Sequence, residues 1–161
     1  MSKIIGITGL KDVGKTYYAS LIIKLLVESG YKIGSIKHAH HDFDIDKPGT
    51  DSFKHREAGS NQVIISSSKR WAKIIENNDK NEKNLEELIK EFQDVDIIVV
   101  EGFKKENHPK IEILGKGLKN KNKEANNVIA FVSDEFKDTS TPVFKKNDTK
   151  NLVDFIIKKI L

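Results

Sequence analysis

Residues 9–16 read Gly-Leu-Lys-Asp-Val-Gly-Lys-Thr, a complete G-x-x-x-x-G-K-T loop. The loop lies between a strand-like run, Ile4-Ile5-Gly6-Ile7-Thr8, and a helix-like run that begins near Lys15. Strand, glycine-rich turn and helix in that order imply a nucleotide phosphate site. Gly9 and Gly14 permit backbone angles that wrap successive N–H groups around an anion. The helix N-terminus adds partial positive charge, and the Lys15 ammonium can reach terminal phosphates and stabilise a transferring group. The Thr16 hydroxyl can ligate Mg²⁺.

The rest of the chain reads as alternating strands and helices. Strands are expected at 3–8, 32–37, 62–66, 70–75, 96–101, 110–114, 128–132 and 142–144. Helices are expected at 15–29 with Gly30 as the stop, at 51–58 with Gly59 as the stop, and at 84–92. A terminal helix is expected after Asp148 as its cap, with Leu152, Phe155, Ile156 and Ile160 inward. The best strands are continuous apolar runs, which predicts a mostly parallel sheet covered on both faces, a three-layer α/β/α architecture. Residues 62–75 form an antiparallel hairpin extension in this reading, residues 76–83 a polar loop, and residues 115–127 a mobile loop of Gly, Lys and Asn. No repeat or second domain is evident, so residues 1–161 are read as a single domain.

Composition narrows the class. The 161 residues are 37% hydrophobic and 32% charged, enough for one core, and no apolar run is long enough to span a bilayer. The N-terminal Met-Ser-Lys-Ile-Ile-Gly lacks the apolar segment of a signal peptide. Cysteine is absent, which excludes disulfides and thiolate metal sites and fits a cytoplasmic protein. The net charge of +4 is carried by lysine, with Arg56 and Arg70 the only arginines. A solvated lysine surface accounts for this better than nucleic acid binding, which favours clustered arginines with interleaved aromatics.

Four further segments carry chemistry. Glu101 ends the apolar run Ile97-Ile98-Val99-Val100, where an acid suits a partner of Mg²⁺ in a sheet whose sites lie beyond the carboxyl ends of its strands. Asp96, at the other end of that strand, reads as a solvated start. In Lys37-His38-Ala39-His40-His41-Asp42-Phe43-Asp44-Ile45-Asp46 an extended chain puts His38, His40, Asp42, Asp44 and Asp46 on one face. That face can bind a divalent metal, organise water and phosphate, or be a plain polar loop, and either Asp44 or Asp46 can position an attacking water. Asp51, Lys54, His55 and Arg56 share a short helix, either an anion-binding patch or an ordinary charged surface. Asp134, at a strand end, can accept from a guanine edge or serve as a turn residue, and the usual Asn/Thr-Lys-x-Asp guanine motif is missing.

Taken together, Gly9–Thr16, the loop from Lys37-His38 to Asp46, Pro48-Gly49-Thr50-Asp51-Ser52 with His55-Arg56-Glu57-Ala58-Gly59, and Glu101-Gly102-Phe103-Lys104 followed by Pro109-Lys110-Ile111-Glu112 resemble one family. It is the molybdopterin-guanine dinucleotide biosynthesis adapter proteins, the GTP-binding B component of that pathway. The resemblance covers about two-thirds of the chain in order. It implies a P-loop GTPase-like fold, homodimerisation through sheet extension, weak GTP hydrolysis with Mg²⁺, and a supporting role beside the guanylyltransferase that joins GMP to molybdopterin. Molybdopterin itself is a further candidate ligand. The resemblance sets Gly9, Lys11, Asp12, Gly14, Lys15 and Thr16 at the nucleotide, and Leu10, Val13 and Tyr17 complete the stretch. Val13 stands where a small residue is common, and Tyr17 where a second Thr is frequent.

Three other readings fit the loop. A small-molecule kinase usually needs several lid arginines, and this chain has two in total. A partitioning ATPase typically carries an extra lysine near the loop's start, whereas Thr8 precedes Gly9 here and Lys11 sits elsewhere. The histidine-rich loop keeps a nucleotide-dependent metallochaperone open, and a module that binds nucleotide without hydrolysing it differs from the leading reading only in rate.

Overall fold

A computed structural model describes residues 3–39, 41–77, 81–117, 124–138 and 140–161. These residues group into two compact units, one made of Met1–His38 with Leu85–Leu161, the other of Ala39–Asn84.

The first unit is built on a six-stranded sheet of β1 (Lys3–Thr8), β2 (Ile33–Lys37), β5 (Ile97–Glu101), β6 (Lys110–Ile113), β7 (Val128–Val132) and β8 (Val143–Phe144). Their order is β2-β5-β1-β6-β7-β8, and every neighbouring pair is parallel. Parallel strands must be covered on both faces, and the alternation along β5 shows how. Ile97 and Val99 join Ile5, Ile7, Ile111, Ile113, Ala130 and Val132 in one cluster, roofed by helices α1 (Lys15–Glu28) and α4 (Thr149–Ile160). Ile98 and Val100 point the other way, into a smaller cluster with Leu85 and Ile89 of the short helix α3 (Leu85–Ile89) and with Phe92 beyond it.

Helix α1 ends at Glu28 with Ser29 as its C-cap, and Gly30 follows with φ 92, the left-handed geometry that stops a helix. Asp148 stands at the cap position of α4, but its side chain bonds no backbone N–H of the helix. It accepts instead from Asn151 Nδ2 at 2.8 Å. On α4 the inward residues are Leu152, Val153, Ile156 and Ile160, while Phe155 is half-buried and tilted against Phe144. Asp96 is more than a solvated start: its Oδ2 accepts the Lys32 N–H at 2.8 Å, and its carbonyl accepts from Lys3 at 2.9 Å.

The second unit holds α2 (Asp51–Glu57) and the antiparallel pair β3 (Gln62–Ser66) and β4 (Trp71–Ile75), which form a two-stranded sheet of their own. Ser67 closes the turn, its N–H and Oγ both donating to the Arg70 carbonyl. Val63 is this unit's one deeply buried apolar side chain among the described residues. Helices and strands thus fall within a residue or three of the expected bounds, and the expected loop at 115–127 lies partly outside the described residues.

Candidate functional site

The parallel sheet lines up three strand ends. In register, Ile7 of β1 stands beside Glu101 of β5, and Glu101 stands beside Lys37 of β2. The phosphate loop leaves β1 at this edge, and α1 follows it.

The loop has the backbone of an anion cradle. Gly9 has φ 146, and a Cβ there would stand 2.5 Å from the Ile113 carbonyl oxygen, so no side chain fits. Gly14, at the cap position of α1, has φ 97. Asp12 takes φ 61, a left-handed conformation that aspartate tolerates better than most residues. The α1 N-terminus has no side-chain cap and no acidic residue in its first turn. Its N–H groups are therefore not committed to a local carboxylate, the arrangement a helix end needs to receive phosphate. The Lys15 ammonium is folded onto its own loop and donates to the Leu10 carbonyl at 2.6 Å.

Thr16 and Glu101 meet, although 85 positions separate them. The Thr16 hydroxyl donates to Glu101 Oε1 at 2.7 Å. Lys37 Nζ completes the group, donating to Thr16 Oγ1 at 3.2 Å and lying 3.5 Å from Glu101 Oε1. A hydroxyl and a carboxylate are hard oxygen donors, the set that fits Mg²⁺ held by few protein ligands together with phosphates. Among the described residues there is no group of three or more His, Asp or Glu placed to hold a metal ion.

The chain beyond Glu101 is also anchored. The His38 N–H donates to the Glu101 carbonyl at 2.8 Å, and the His38 ring stacks on Phe103 with centroids 4.5 Å apart. Between them Gly102 has φ 110, and a Cβ there would meet the His38 Cβ at 2.6 Å. Lys110, fully buried, donates from Nζ to the carbonyls of Glu106, His108 and Asn126, which ties down the segment after Glu101. Burial pushes its ammonium down to about 8. His108 packs against Gly6, where a Cβ would stand 2.5 Å from its Nε2, with neither ring nitrogen hydrogen-bonded, and burial followed by the Lys110 charge pushes it down to about 4. The sequence reading missed Lys37, His108 and Lys110 as structural actors. The only signal was their presence in or beside the segments that carry the family resemblance.

Asp134 and Tyr17 fall differently. Asp134 Oδ1 accepts the Lys146 N–H at 3.0 Å, and Tyr18 donates its hydroxyl to the Lys146 carbonyl at 3.2 Å. Asp134 therefore acts as a brace between the end of β7 and the segment after β8. Tyr17 is exposed and meets Tyr18 edge-to-face at 5.3 Å.

In the second unit the acids expected near an attacking water surround Arg56. Its guanidinium donates to Asp46 through Nε at 3.1 Å and Nη2 at 2.6 Å, to Asp44 through Nη2 at 2.7 Å, and to Glu76 through Nη1 at 2.6 Å. The Asp46 side chain is only 4% exposed, and its hydrogen bonds with Arg56 hold the carboxyl below the usual carboxylate range. Arg56 is thus a hub for its own unit's acids, which leaves little of it for the anion patch expected on α2, where Lys54 pairs with Asp51 at 3.6 Å. His38 and Asp46 are described, and His40, expected on the same face, lies outside the described residues. A cavity of about 820 Å³ in this unit is lined by Phe43, Ile45 and Ile74 together with Asp44, Arg56 and Glu76.

Comparison with known proteins adds four findings. The family model for molybdopterin guanine dinucleotide synthesis protein B matches residues 4–134. The molybdopterin-guanine dinucleotide biosynthesis adapter protein of Escherichia coli K12 is 35% identical over 98% of this chain and 93% of that protein. The protein of the same name from Haemophilus influenzae is 39% identical over 67% of this chain and 61% of its own length. In fold, the crystal structure of Bacillus subtilis MobB superposes with a TM-score of 0.77 at 23% identity, covering 99% of this chain and 98% of that one.

Proposed function

Because the chain belongs to the molybdopterin guanine dinucleotide synthesis protein B family, we propose that it serves molybdenum cofactor biosynthesis as a GTP-binding adapter. Its relatives' names carry the role in molybdopterin-guanine dinucleotide biosynthesis. The nucleotide reading rests on one observation above the others: the Thr16–Glu101 hydrogen bond of 2.7 Å beneath the uncapped N-terminus of α1. That bond brings the two hard oxygen donors of the site to one place beside the phosphate loop.

In this reading the loop N–H groups and Lys15 hold the phosphates, with Lys15 leaving the Leu10 carbonyl to do so. Thr16 and Glu101 hold Mg²⁺, whose charge neutralises the phosphates when it is bound with nucleotide. Turnover is slow. Of the two arginines, Arg56 is engaged by three acids of its own unit, which argues against its acting as an arginine finger. A guanylyltransferase that joins GMP to molybdopterin is the proposed partner, molybdopterin a proposed further ligand, and the cytoplasm the proposed setting. Homodimerisation belongs to the same proposal, and the exposed apolar residues Ile64 and Trp71 on the hairpin support it. No helix among the described residues is long and apolar enough to cross a membrane.

Calorimetric titration with GTP and ATP, each with Mg²⁺, tests the reading. GTP is expected to bind the tighter, and tighter ATP binding sinks the guanine assignment. Lys15→Ala is expected to lower GTP affinity by at least about 100-fold, the scale of losing a charged contact to phosphate. Unchanged affinity in that variant removes the site.

A further inference from the structure

We propose that Lys37 is a resident counter-cation of the Thr16–Glu101 pair, and that a divalent ion binds there only by displacing it. The inference rests on the reading of Thr16 and Glu101 as the Mg²⁺ pair. It adds a residue that sets how tightly the ion is held.

The geometry makes the case. Lys37 Nζ, Thr16 Oγ1 and Glu101 Oε1 form a triangle with sides of 3.2, 2.7 and 3.5 Å. The ammonium therefore rests on both oxygens at once. Lys15, at the end of the phosphate loop, is turned away onto the Leu10 carbonyl. The sheet aims Lys37 at this place, since it is the direct cross-strand neighbour of Glu101. Its side chain is 61% exposed, so the pair is screened by water and contributes little to stability. Its larger effect is electrostatic and local. It supplies positive charge to a carboxylate only 13% exposed while no other cation is at the pair.

A divalent ion ligated through the same two oxygens comes into the field of this ammonium. Two positive charges cannot share the pair without repulsion, so the lysine gives up both contacts when the ion enters. A long, exposed side chain can swing away easily, which makes the displacement reversible. Lys37 thus weakens cation binding, and it keeps Thr16 and Glu101 together between binding events.

The test compares wild type with Lys37→Met and Lys37→Arg, each first saturated with GTP in the absence of divalent ions. Mn²⁺ is then added, and its binding is read from the electron paramagnetic resonance of the free ion. Lys37→Met is expected to bind Mn²⁺ roughly 3- to 10-fold tighter than wild type, the gain shrinking at high salt. Lys37→Arg keeps the charge and is expected to stay within about twofold of wild type. Lys37 is exposed, so these variants are expected to keep the fold, and matching thermal melts of the nucleotide-free proteins check it. Equal or weaker Mn²⁺ binding by Lys37→Met overturns the proposal while leaving the nucleotide site standing. A wild type that binds no GTP overturns the nucleotide reading and this inference with it.

Discussion

The two units solve the problem of charge in opposite ways. In the first, polar groups are carried by a large apolar framework. Ile5, Ile7, Ile98, Val100 and Ile111 are fully buried, and on that base even Lys110 and Glu112 are kept out of water within β6. In the second, charge replaces apolar burial. Val63 is deeply buried, Arg56 gathers Asp44, Asp46 and Glu76, and Ile64 and Trp71 are left 65% and 69% exposed. Apolar burial is long-range and cooperative, whereas an ion-pair hub holds only the segments it touches. The first unit therefore has the cooperative apolar base that a precise site needs, and the second is expected to be the less stable of the two.

The largest expected effect separates the two directly. Ile111→Ala removes a fully buried side chain from the main cluster and is expected to cost about 4 kcal/mol in urea unfolding followed by far-UV circular dichroism. A cost below about 1 kcal/mol would mean that the sheet is not the rigid half of the pair.

The next effect is a pH dependence confined to the first unit. His108 has a folded-state pKa of about 4 and an unfolded value near 6.5. Between those values the unfolded chain takes the proton first, so the contribution of His108 is complete above pH 6.5 and is lost as pH drops toward 4. The expected loss is about 3 kcal/mol from this residue. His108→Leu should lack it, so stability measured at pH 7.5 and pH 4.5 in both proteins isolates the contribution. Identical pH slopes would show that the buried ring is solvated after all.

The second unit is tested through Trp71, the chain's single tryptophan, which lies on β4. Arg56→Ala strands the buried Asp46 carboxylate without its partner, and the Trp71 emission transition is expected to move to lower temperature. The circular dichroism transition of the larger unit should move less. Equal shifts by both probes would show the two units melting as one, which breaks the comparison. The smallest effect is expected at Ile64→Thr, which keeps a β-branched residue on an exposed strand face and should change stability by no more than about 0.5 kcal/mol.

Much of the first unit was legible along the chain because its signals are local. Four apolar residues ending in Glu101 announce a buried strand and its exit, and Gly9 and Gly14 announce a tight anion-binding turn. The segment Lys110-Ile111-Glu112-Ile113 was harder. Its alternation reads as one wet face and one dry face, yet all four residues are buried. Only the position of β6 between β1 and β7, with the segment after Glu101 folded onto Lys110, covers the face that such alternation leaves wet. Likewise Asp44 and Asp46 read as free acids on a polar loop, because nothing nearby in sequence announces that Arg56 and Glu76 close on them.

The sequence by itself determined the phosphate loop, the alternation of strands and helices, and the family, since each is read from short stretches of neighbouring residues taken in chain order. Tertiary structure alone decided what the loop is wired to. The order β2-β5-β1 brings Lys37, Glu101 and Thr16 within 3.5 Å, across gaps of 21 and 85 residues. Strand order in a parallel sheet is set by which apolar faces bury best against which helices, a global balance that no short stretch of residues records.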